Sequence, residues 1–88
     1  MSPELETLDQ LLGGDQALGL VRGYYADDSH FARAIRAMLD ARELRLLTGE
    51  GGEVPRWQRR EVLSAVCDPE VADQFKLSIT DLGAERIG

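Results

Sequence analysis

Eighty-eight residues, 43% hydrophobic and 30% charged, suffice for one globular domain with a small core and exclude a chain that is disordered throughout. The net charge of −6 excludes a protein that coats nucleic acid indiscriminately, because its overall field repels phosphate. The single cysteine, Cys67, excludes an intrachain disulfide and is expected to pack as a small buried residue.

The charge is unevenly distributed. Residues 1–28 hold six acids and one arginine, residues 29–60 hold seven arginines and four acids, and residues 61–88 hold six acids and two bases. Contact with a polyanion therefore falls to the middle third, unless those arginines are used up in pairs with the acidic flanks across the fold. No apolar run approaches the roughly 20 residues of a membrane span. Nor does a basic stretch followed by an apolar one open the chain, so a cytosolic protein without a membrane partner is expected.

Ser2 followed by Pro3 predicts a helix start, with Glu4 and Glu6 suited to its positive end. Leu5, Leu8, Leu11 and Leu12 form its apolar face, and Gly13 and Gly14 stop it. Asp15 is placed to cap a second helix reaching about Ala26. Its residues Ala17, Leu18, Leu20, Val21, Tyr24 and Tyr25 cover more than half the circumference, and Gly19 and Gly23 leave a groove for a close neighbour. After a turn over residues 26–29, Asp28 and Ser29 offer capping oxygens to a third helix. Phe31, Ala34, Ile35, Met38 and Leu39 share one face of it, with Arg33, Arg36 and Asp40 opposite. The period changes after Glu43, and residues 44–48 read as an edge strand ended by Gly49.

Residues 48–53 form a glycine-rich loop, expected to be mobile, that lacks the lysine and hydroxyl of a phosphate-binding loop. Pro55 opens a helix from Arg56 to about Val66, with Trp57, Leu63 and Val66 turned inward. Arg56, Trp57, Arg59 and Arg60 crowd its first turns; arginine beside an aromatic ring suits nucleic acid by charge and stacking, and equally suits a core tryptophan beneath arginine stems. Asp68 and Pro69 start a short helix to about Gln74. Phe75, Leu77 and Ile79 alternate with Lys76, Ser78 and Thr80 in the clearest strand of the chain. Thr80 then caps a last helix, Asp81 to Ile87, with Leu82 and Ile87 returning to the core.

Asp27, Asp28 and His30 are the one grouping that suggests a metal or acid–base site, but capping and turn formation account for both aspartates. With no nucleophile–base pair, metal set or cofactor loop, the chain reads as a non-enzymatic binding domain without cofactor or metal.

The ending FKLSITDLGAERI resembles the close of many winged helix-turn-helix regulators, Leu-x-x-Thr-x-x-Gly-x-x-x-Ile/Leu, with Leu77, Thr80, Gly83 and Ile87 at those positions. The run FARAIRAMLDARELRLL is similar to the recognition helix and first wing strand of that superfamily. Between the strands this chain departs from the pattern: 26 residues separate Thr48 from Phe75, where a wing is usually a short hairpin. The resemblance implies a single winged-helix-like α+β domain over residues 1–88, helix-rich, with a small two-stranded antiparallel sheet of residues 44–48 and 75–80. It further implies a DNA-binding transcription regulator, with His30, Arg33 and Arg36 facing the major groove and the Arg56–Arg60 cluster, Trp57 included, near the backbone; one small domain of this charge would bind weakly alone, so a homodimer is expected. The alternative is a protein-interaction module, an adaptor, accessory subunit or inhibitor. Its acidic ends, Glu4, Glu6, Asp9, Asp68, Glu70 and Asp73, would then occupy a partner's basic groove.

Overall fold

The computed structural model describes residues 2–87. The Ser2 hydroxyl accepts the Leu5 N–H at 3.3 Å and Pro3 stands in the first turn of α1 (Pro3–Leu12). Leu8 and Leu11 are buried, whereas Leu12 is exposed. Thr7 is buried too. Its hydroxyl donates to the Pro3 carbonyl at 2.8 Å, so the Tyr25 hydroxyl, 2.9 Å away, must donate to it. Burial holds the Tyr25 hydroxyl above its ordinary pKa.

The expected second helix is replaced by three pieces. Gly14, at φ 138°, turns the chain out of α1 into a two-residue strand, β1 (Gln16–Ala17), and α2 follows (Leu18–Arg22). Asp15 caps nothing; its carboxylate lies 3.7 Å from Lys76 Nζ. Beyond Gly23, turn hydrogen bonds from Tyr24 to Val21 and from Tyr25 to Arg22 carry the chain to the next helix. The sheet has three strands and not the two expected, since a two-residue strand has no alternation by which the sequence could show it.

Helix α3 (Asp28–Asp40) buries all five expected apolar residues, Phe31, Ala34, Ile35, Met38 and Leu39. Its cap is Asp27, one residue earlier than read from the sequence, accepting from the His30 N–H at 2.7 Å; Asp28 is held by Arg22. At its far end Arg42, at φ 63°, donates its N–H to Leu39 while Glu43 donates to Met38, a Schellman closure. Strand β2 (Leu44–Thr48) leaves from there and pairs antiparallel with β3 (Phe75–Ile79), Leu46 opposite Leu77. β1 pairs with the other edge of β3, giving the order β1–β3–β2. Leu44, Leu46 and Leu77 close the core against α1 and α3.

The glycine-rich segment is a hydrogen-bonded turn. The Thr48 N–H donates to the Gly52 carbonyl at 2.7 Å, and the Val54 N–H returns to Leu46 at 2.9 Å along the outer edge of β2. A 3₁₀ turn (Arg56–Gln58), α4 (Arg59–Ser64) and α5 (Pro69–Gln74) follow. α4 packs beside α3 and α5 against α2, where a Cβ on Gly19 would lie 2.9 Å from that of Ala72. The tighter 3₁₀ turn resets the helical phase, so Trp57 is 76% exposed while Leu63 and Val66 still face inward. Cys67 follows the end of α4 and is exposed rather than buried.

Helix α6 (Asp81–Ile87) locks onto the α3–β2 corner. Thr80 donates its N–H to the Glu43 carbonyl at 3.0 Å and its hydroxyl to the Arg42 carbonyl, and its oxygen accepts the Gly83 N–H at 3.2 Å. A Cβ on Gly83 would stand 2.3 Å from the Glu43 oxygen, so only glycine admits this approach. Arg86 completes the corner at 2.8 Å from the Glu43 carboxylate. Leu82, expected in the core, is exposed.

Candidate nucleic-acid interface

Because one face of α3 is buried, its solvent stripe is narrow and runs Ser29, Arg33, Arg36, Asp40. Arg33 and Arg36 have no carboxylate partner among the described residues. From the inserted segment, Arg56 comes within 3.9 Å and Arg59 within 3.8 Å of Asp40. Arg36, Asp40, Arg56, Arg59 and Arg60 line a depression of about 90 Å³. Four arginines share it with one acid. Both ion pairs are longer than hydrogen bonds and involve the exposed Asp40, so they neutralise little.

The arginines of the middle third are not consumed by the acidic flanks. Among the described residues none pairs with an acid of residues 1–28 or 61–88. The flank acids are engaged elsewhere: Glu4 with His30, Asp15 with Lys76, Asp28 with Arg22, and Asp68 as the cap of α5.

Of the residues singled out from the sequence, the fold brings together Arg36, Arg56, Arg59 and Arg60, and Arg33 continues the stripe one turn along α3. Trp57 follows Arg56 on the 3₁₀ turn, open to solvent. His30 is drawn the other way. Its Nε2 lies 3.1 Å from Glu4 Oε1 and its ring meets Tyr25 edge-on at 5.2 Å, which ties the first turn of α3 to α1. Hydrogen bonds from its own backbone N–H and from His30 hold the Glu4 carboxyl below its ordinary pKa.

Sequence reasoning passed over Arg42 and Arg45. With Arg59 and the acids Glu53 and Asp81 they line a second, open depression of about 420 Å³. Neither has an acid partner among the described residues. The signal for Arg45 was present, since β2 alternates Leu44, Arg45, Leu46 and places the arginine outward.

The fold and this face define an α+β domain with a three-stranded antiparallel sheet and one arginine-rich side on an acidic body. Comparison of the chain with protein-family models, curated proteins and solved structures gave no significant match. Among the described residues, no helix is long and apolar enough to cross a membrane, and no group of three or more His, Cys, Asp or Glu side chains is placed to hold a metal ion.

Proposed function

We propose that this chain is a winged-helix-like regulator that binds duplex DNA by laying α3 in the major groove. The observation that carries the reading is the solvent stripe of α3, where Arg33 and Arg36 stand without acid partners and lead into Arg56, Arg59 and Arg60. The chain path supports it. Helix, strand, two helices, strand, the inserted 3₁₀ turn and two helices, strand and helix, with β3 between β1 and β2, are similar, apart from the insert and the last helix, to a winged helix in which α2 and α3 form the helix-turn-helix. In this reading the arginines of α3 meet base edges or phosphates, and His30 holds α3 to α1 instead of touching DNA.

The test is fluorescence anisotropy of a labelled random-sequence duplex at about 50 and about 200 mM salt. Micromolar binding at the lower salt should fall by orders of magnitude at the higher, and Arg33→Ala or Arg36→Ala should weaken it further. No binding at the lower salt removes the DNA reading. A second reading rests on Trp57, since an exposed tryptophan among arginines is also typical of a protein-interaction hot spot. It predicts no duplex affinity and a partner whose binding buries Trp57 and shifts its emission to the blue.

A further inference from the structure

We propose that the inserted segment converts the C-terminal end of α3 into a clamp for a single backbone phosphate. Arg36 from α3 and Arg56, Arg59 and Arg60 from the insert would close on that one group. The proposal rests on the DNA reading and assigns a purpose to the segment that stands where a wing hairpin would be.

The first argument is charge. Four arginines and one aspartate line the depression, and the guanidiniums of two of them, Arg56 and Arg59, lie within 4 Å of that single acid, so an anion is the missing counter-charge. The second is preparation. Arg59 is only 19% exposed, its Nε is buried without a hydrogen-bond partner, and its Nη1 reaches Asp40 at 3.8 Å. Packing has already fixed and partly dehydrated this side chain, so binding an anion at its outer edge loses little further freedom. The arrangement suits two or more planar forks on one tetrahedral oxyanion.

A clamp on one phosphate predicts that its arginines act as a unit. The singles Arg36→Gln and Arg60→Gln and the double variant, each checked for folding by circular dichroism, are titrated with duplex across a salt series. Because Arg56 and Arg59 stay on the same phosphate, the slope of log affinity against log salt should flatten by at most about 0.9 in the double variant, the value for one phosphate. The double's affinity loss should also fall short of the product of the single losses. A slope change of about 1.8, with losses that multiply, means separate phosphates and overturns the clamp while leaving DNA binding intact. If no duplex binds, the DNA reading fails and the clamp is decided by titrating inorganic phosphate while following Trp57, the only tryptophan. A saturable emission change in the native chain that the double variant loses upholds the clamp; no saturable change ends it.

Discussion

Arg42 occupies the left-handed region, φ 63°, at the position after a helix where glycine is the usual residue. Its N–H and that of Glu43 close α3, and its carbonyl takes the Thr80 hydroxyl, so the conformation is held from three sides. Substituting Arg42→Gly should relieve the clash of Cβ with the backbone and raise stability by about 0.5–1 kcal/mol, after allowing for the looser unfolded chain. Urea melts check this: the midpoint should rise with the slope unchanged. A lower midpoint would mean that the arginine side chain itself stabilises the corner. At this scale the caps at Ser2 and Asp68 were legible because a hydroxyl or carboxylate before proline has one economical use. The exposure of Trp57 and Cys67 was not, since a change of helical phase inside residues 56–67 leaves no mark on composition.

Glu4 and His30 join α1 to α3, and the link should respond to acid. The folded-state pKa of Glu4 lies below its ordinary value of 4.5, chiefly through its own backbone N–H and then through His30. A carboxyl depressed on folding stabilises the fold above its unfolded pKa, and that contribution disappears as pH falls through the folded value. Glu4→Gln should therefore be less stable than the native chain at pH 7, and the gap should narrow as pH falls below about 4.5. Thermal melts across that range measure it; a gap constant with pH would show that the carboxylate's charge is not what matters. Helix α3, the pairing of residues 44–48 with the strand read as 75–80, which stops at Ile79, and the Thr80 cap of α6 were readable because each repeats a period or uses a cap; the lock of α6 onto Arg42 and Glu43 was not. The Thr80-x-x-Gly83 spacing has a double cause, a cap and a place where Glu43 must come close. β1 was hidden, as was the convergence of Arg36 with Arg56, Arg59 and Arg60. The first was too short to carry a period, and the second depends on how an insert folds back on α3. That return is a tertiary fact which local spacing does not encode.

Taken whole, the molecule measures 32 × 28 × 21 Å and carries −6, so its acids compete with its arginine face over a range set by salt. The Debye length is about 30 Å at 0.01 M and about 8 Å at 0.15 M, which is the entire molecule in one case and a single side chain's neighbourhood in the other. Asp9 on α1, Glu70 on α5 and Glu85 on α6 are exposed and line neither arginine depression. Neutralising all three to Asn and Gln should tighten duplex binding several-fold at about 10 mM salt and leave it unchanged at about 150 mM. Anisotropy at both salts decides; equal tightening at both would place these acids in direct contact with the DNA. The sheet has a further consequence. Its central strand, β3, comes after both of its partners in the chain, so on the ribosome β1 and β2 emerge with nothing to pair with. The 26 residues between β2 and β3 take roughly one to five seconds to make at about 5–20 residues per second. Throughout that interval an open strand edge invites pairing with another nascent chain. In the folded sheet the turn at residues 48–54 lays Glu53 and Val54 along the outer edge of β2, so that side of the strand is covered by residues made immediately after it.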